Sequence, residues 1–213
     1  MIAGKGWQQL LGAMLMAFAV TLPASQLAAQ VAEGSADEWQ QPPLPETFNA
    51  LAMIMSTSAA RQTQTLTIRI TRWSTAEERQ QLLDTIAGTE DPSVLKDALA
   101  KQEDAGFVRG AEVGTGWTSE RLRYAWQWRI EGTGKRRIIL ALDRPLGMTV
   151  GFDQTRALEN TVSILILDVE ENGEGDGILV VGSGVAYDED LQRLVMRQHA
   201  TEPVRLTNVR KTG

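Results

Sequence analysis

Two short runs of this chain are apolar on both faces of any strand they could form. RRIILALDR, residues 136–144, and TVSILILDV, residues 161–169, carry aliphatic side chains at consecutive rather than alternate positions. Such runs suit central strands, covered on both sides. The chain must therefore build a sheet and also cover it. Neighbouring segments read as half-covered strands. QTLTIRITRW sets Leu66, Ile68 and Ile70 on one face and Thr67, Arg69 and Thr71 on the other. LRYAWQWRI sets Leu122, Tyr124, Trp126, Trp128 and Ile130 opposite Arg121, Arg123, Gln127 and Arg129. GILVVGSGVA, LQRLVMRQ and EPVRLTNVR complete the strand series. ETFNALAMIM reads as helix or strand; pairing with QTLTIRITRW through STSAARQ favours a strand over Phe48–Met55.

Between these strands lie two helical patterns. Ser74 and Glu77 match the capping box, in which each side chain satisfies a free backbone N–H at a helix start. Leu82, Leu83 and Ile86 give that helix an apolar stripe, and Gly88 supplies a stop. Asp91 and Pro92 open a second helix with Val94, Leu95, Ala98 and Leu99 inward. The expected fold is α+β: a mainly antiparallel sheet of about 6–8 strands. Its two consecutive helices follow an early strand and lie on one face. Element order resembles the Bet v 1/START-like helix-grip fold, which encloses apolar ligands, although the chain lacks that fold's long C-terminal helix.

The first residues read as a targeting signal. Lys5 precedes an apolar run from Leu10 to Leu22, Pro23 breaks it, and small residues lead to Ala28 and Ala29. That order describes a secretory signal peptide over 1–29. The run falls short of the roughly 20 residues that span a bilayer. Residues 30–45, acidic and carrying Pro42, Pro43 and Pro45, read as a flexible linker before a single domain over 46–213. Loss of Lys5 takes the formal charge from −6 to −7. An acidic chain lacks the global attraction of a nucleic-acid binder, and no second apolar run suggests a membrane after cleavage. No cysteine is present, which excludes disulfides, thiolate nucleophiles and cysteine-bound metals.

ITRWSTAEERQQLL, GKRRIILALDRPLG and EPVRLTNVR resemble a family of exported bacterial proteins associated with soil bacteria such as Acidobacteria. The likeness runs from about Phe48 to Arg210. That family has no assigned activity, so the resemblance implies a single exported domain and transfers no functional residue.

Little else points to chemistry. His199 is the only histidine and has no partner visible in sequence for catalysis or metal binding. EGTGKRR lacks the spacing of a phosphate loop, GAEVGTGW has no helix after it, and VVGSGVA lacks the strand-to-helix context of a nucleophile elbow. The acidic segment DVEENGEGDG matches a calcium loop at Asp168, Glu170, Asn172, Gly173 and Asp176, but Leu179 stands where a bidentate Glu is required. Asn172-Gly173 between two strand patterns favours a hairpin tip. Arg121, Arg123 and Arg129 form a candidate row for an anionic ligand or acidic partner, or an ordinary solvated strand face. No catalytic, cofactor-binding or metal residue is assigned. The expected role is a non-enzymatic binding or interaction module. The alternatives are a carrier of an apolar small molecule and a hydrolase acting through carboxylates.

Overall fold

The computed structural model describes residues 42–55, 61–87, 91, 93–112, 116–146, 162–188, 193–199 and 203–213. The expected signal segment and most of the expected linker lie outside them, as does Gly88. Among the described residues, ten strands and two helices follow one another. The strands are β1 (Glu46–Met55), β2 (Arg61–Ile70), β3 (Gly106–Glu112), β4 (Gly116–Leu122), β5 (Tyr124–Arg129), β6 (Arg136–Leu142), β7 (Val162–Val169), β8 (Glu174–Asp188), β9 (Arg193–His199) and β10 (Val204–Lys211). The helices α1 (Ala76–Ile86) and α2 (Ser93–Ala100) follow β2.

The expected α+β arrangement, a mainly antiparallel sheet of about 6–8 strands with two helices on one face, is incorrect: the strands are more numerous and form a nearly closed barrel. Nine strands form one path, β4-β3-β2-β1-β10-β8-β7-β6-β5, with β9 paired to β8 beyond it. The two ends of that path, β4 and β5, are consecutive in sequence. The sheet therefore curls into a nearly closed barrel whose edges are joined by the chain itself. At the junction the Ala105 N–H donates to Leu122 O and the Arg123 N–H donates to Ala141 O, so adjacent residues serve opposite edges. All ladders are antiparallel, as expected. Phe48–Met55 is strand, paired with β2 as Phe48↔Ile68 through Met55↔Arg61.

Closure explains how the doubly apolar runs are covered. Ile138, Leu140 and Leu142 of β6 and Leu165, Leu167 and Val169 of β7 point inward, packing with Phe48, Leu66, Ile68 and Leu206 in one core. The alternate positions, Ile139, Ala141, Ile164 and Ile166, point outward. There they meet Leu82 and Ile86 of α1 and Leu95 and Leu99 of α2. The helices lie on the outer surface of β5–β8, so the core proper is filled by strand side chains. Burying each such aliphatic group contributes about 1.5–3 kcal/mol.

The capping box sits one residue later than Ser74 and Glu77 suggest. Thr75 Oγ1 accepts from the Glu78 N–H at 3.2 Å, and Glu78 Oε2 accepts from the Thr75 N–H at 2.8 Å. Ser74 is buried instead and ties the helix entry to β5: its N–H donates to Ala125 O, and its hydroxyl accepts from the Ala125 N–H. Asp91 opens α2 by accepting from the Ser93 N–H at 2.9 Å.

Candidate functional site

Inward-facing positions of β1 run Glu46, Phe48, Ala50, Ala52, so strand parity places a carboxylate inside one end of the barrel. Glu46 is fully buried. Arg136, the first inward residue of β6, donates to both its oxygens, Nη2 to Oε1 at 2.7 Å and Nη1 to Oε2 at 2.9 Å. Lys211 Nζ lies 2.8 Å from Oε1. The Arg136 guanidinium also stacks over the Phe48 ring, 5.5 Å from its centroid, and donates to Gln127 Oε1 at 2.7 Å. Burial alone would raise the Glu46 carboxyl, but hydrogen bonds from Arg136 and Lys211 hold it below its ordinary value of 4.5. Gln127 is 6% exposed, and its Nε2 has no hydrogen-bond partner.

The acidic segment DVEENGEGDG closes the same end. It is the β7–β8 hairpin tip, with Val169↔Gly175 as the last ladder pair. The Gly173 N–H donates to Glu170 O, the Asn172 side chain accepts from the Glu174 N–H, and Gly173 adopts φ +85°. A side chain at Gly173 would meet the Lys211 Cβ at 2.8 Å, so glycine is required by both backbone and space. The tip carboxylates diverge towards separate cations: Asp168 to Arg137, Glu170 to Lys135, Glu171 to Arg129 and Glu174 to Arg210. A calcium ion needs six to eight converging oxygens. No group of acids among the described residues is placed to hold a metal. Millimolar calcium should therefore leave the thermal melting temperature unchanged. A rise of several degrees that disappears in Asp168→Ala would restore the metal reading.

The arginines read as one row occupy three settings. LRYAWQWRI breaks at Arg123, and its alternation changes phase there: Leu122 points into the barrel, whereas Tyr124 points out under the helices. Arg123 is largely buried at the junction, donating to Asp104 Oδ1 at 2.7 Å and Asp143 Oδ2 at 3.1 Å. Arg121 reaches the other oxygen of Asp104 at 3.5 Å. Arg129 lies at the far end of β5 on Glu171. Arg121 and Arg123 thus meet at a shared acid, and Arg129 stands apart from them.

A different surface brings apolar side chains together. Ladder pairing aligns Trp126, Ile139, Ile166 and Ile178 across the outside of β5–β8. The next row is Trp128, Arg137, Asp168 and Asp176. The helices cover the first row only in part. Trp126 carries Arg79 at 5.6 Å, while Trp128 and Ile178 remain 37% and 39% exposed. A groove of about 610 Å³ between α1 and α2, floored by Leu82, Val94 and Ala98, is open and mixed in charge.

The remaining candidates fall on turns and strands. Gly132 and Gly134 of EGTGKRR both take positive φ in the β5–β6 turn. Ser183 lies within β8, paired with Gln198, where no helix follows. His199 ends β9 opposite Gly182, and its side chain is outside the described ones. The sequence signal for the buried cluster was the alternation that puts Glu46 in step with Phe48. Compared with known protein families, curated proteins and solved structures, the chain matches none.

Proposed function

We propose that the protein is an exported, non-enzymatic interaction module that docks a protein partner on the outer face of β5–β8. The observation that carries this reading is the exposure of Trp128 and Ile178 beside the half-covered row Trp126, Ile139 and Ile166. Large apolar groups flanked by a charged pair, here Arg137 and Asp168, match an interface with an apolar centre and a polar rim. The occupant is a segment presenting apolar side chains to the row, with a polar flank facing the ion pair. Export is supported by the signal-like first 29 residues. The arginines at 121, 123 and 129 each engage a carboxylate, so docking is assigned to the apolar face rather than to them.

The test places a photo-crosslinking residue at position 178 in the producing cell and compares the parent with Trp128→Ala. A defined adduct is expected in the parent. Truncating a central tryptophan should weaken the complex by at least about thirtyfold, corresponding to roughly 2 kcal/mol. Absence of any adduct, or an adduct indifferent to Trp128, would sink this reading.

A further inference from the structure

We propose that the outer face of β2 and β3 binds an acidic polysaccharide, a sugar chain carrying carboxylates, through Arg69 and Arg109. Ile68, Ile70 and Val108 fill the barrel, so strand parity turns Thr67, Arg69, Phe107 and Arg109 to the outside. Ladder pairing sets Arg69 opposite Phe107 and Arg109 opposite Thr67, which makes the two arginines diagonal neighbours. Diagonal neighbours on a sheet lie about 7–8 Å apart, within joint reach of one anion for side chains this long. Both arginines are exposed, and neither has a carboxylate within ion-pair distance among the described residues. Arg121 and Arg210, on either flank, are taken by Asp104 and Glu174. Adjacent like charges on a sheet are destabilising, and an anionic partner relieves that repulsion.

The Arg109 guanidinium lies over the Phe107 ring, 5.6 Å from its centroid. Stacking of this kind orients the planar group and keeps its N–H donors available for a carboxylate in bidentate geometry. Beside it the Thr67 hydroxyl donates to Asn49 Oδ1 at 3.0 Å, which leaves the Asn49 amide donors and the Thr67 oxygen to meet sugar hydroxyls. The surface favours a glycan over a peptide. β2 and β3 are each paired on both sides here, so no backbone edge is open for an added strand. The nearest large apolar group, Phe107, carries Arg109 rather than standing free as a hydrophobic anchor. The net charge of −6 does not oppose this locally. The acidic β7–β8 tip lies three or more strands away, beyond the screening length of about 8 Å at physiological salt. Asp104, which is nearer, is shared by Arg121 and Arg123.

Affinity electrophoresis of the purified chain through gels carrying polygalacturonate, dextran or polyglutamate provides the test. Polygalacturonate should retard the chain at low salt and release it at high salt, whereas neutral dextran should not retard it. Polyglutamate, at the same carboxylate concentration, should act more weakly. Arg69→Gln and Arg109→Gln should each weaken polygalacturonate binding about fivefold, and the double variant should bind no better than to dextran. Thr67→Val should weaken binding to polygalacturonate and leave that to polyglutamate unchanged, because only the sugar offers hydroxyls to this position. Arg129→Gln, which removes an arginine held by Glu171 on β5, should change nothing. The proposal is overturned if dextran retards the chain equally or if the double variant retains its affinity. It is also overturned if polyglutamate binds as tightly as polygalacturonate, which would assign the face to an acidic protein.

Discussion

Glu46→Gln is expected to destabilise the barrel by about 3–5 kcal/mol, the cost of breaking a buried ion pair and stranding its partners. Removal of this one carboxylate leaves Arg136, itself largely buried, with a neutral amide in place of two charge-assisted bonds. Urea unfolding of the parent and variant at neutral pH measures the difference. Acid should reproduce part of the same loss. The folded carboxyl titrates below its ordinary value of 4.5, so its stabilising effect is complete above that value and disappears as pH falls through the lower folded one. The parent should therefore lose stability more steeply than Glu46→Gln below pH 4.5. A variant within 1 kcal/mol of the parent, with parallel acid curves, would show that the cluster contributes specificity and not stability.

Gly106→Ala is expected to cost roughly 2–6 kcal/mol, combining backbone strain with overpacking. Gly106 opens β3 at φ +148°, and a Cβ there would lie 2.0 Å from Arg69 O. It pairs with Ile70 on one side and Leu122 on the other, so neither neighbour can retreat without disturbing a ladder. Gly132→Ala provides the comparison. Its φ is +72° but nothing lies within 4 Å of the added atom, so only the strain term applies. Denaturant midpoints should separate the two variants clearly. Equal losses would mean that the approach of β2 to Gly106 is adjustable.

Much of the architecture was legible because alternation is a local property. The doubly apolar runs at 136–144 and 161–169 required cover on both faces, and both covers exist. The hairpin at Asn172-Gly173 followed from the flanking strand patterns. What escaped was the change of phase at Arg123. Leu122 and Tyr124 are both apolar, and both are covered, but by opposite sides of the barrel. A polar–apolar pattern cannot distinguish that arrangement from one continuous face, so LRYAWQWRI read as a single strand. The helix cap shifted for an equally specific reason: Ser74 with Glu77 and Thr75 with Glu78 satisfy the same spacing, and burial of Ser74 against Ala125 decides between them. The Glu46 cluster was hidden because its members lie on three strands far apart in the chain. Only the closed topology brings positions 46, 136 and 211 together.

That topology also has a kinetic consequence. Most ladders join strands that follow one another along the chain, and these can form from short loops. The pairing of β1 with β10, Phe48↔Lys211 among its contacts, joins the most distant strands. Its loop-closure entropy is the largest in the domain, and the other ladders reduce it by folding β1–β4 and β5–β10 into two sheets hinged at Arg123. The last ladder to form is then the one that brings Lys211 to Glu46. Before that step, Glu46 and Arg136 stand on separate sheets and are still solvated. Desolvation of the charge cluster and sealing of the barrel become a single late event in folding.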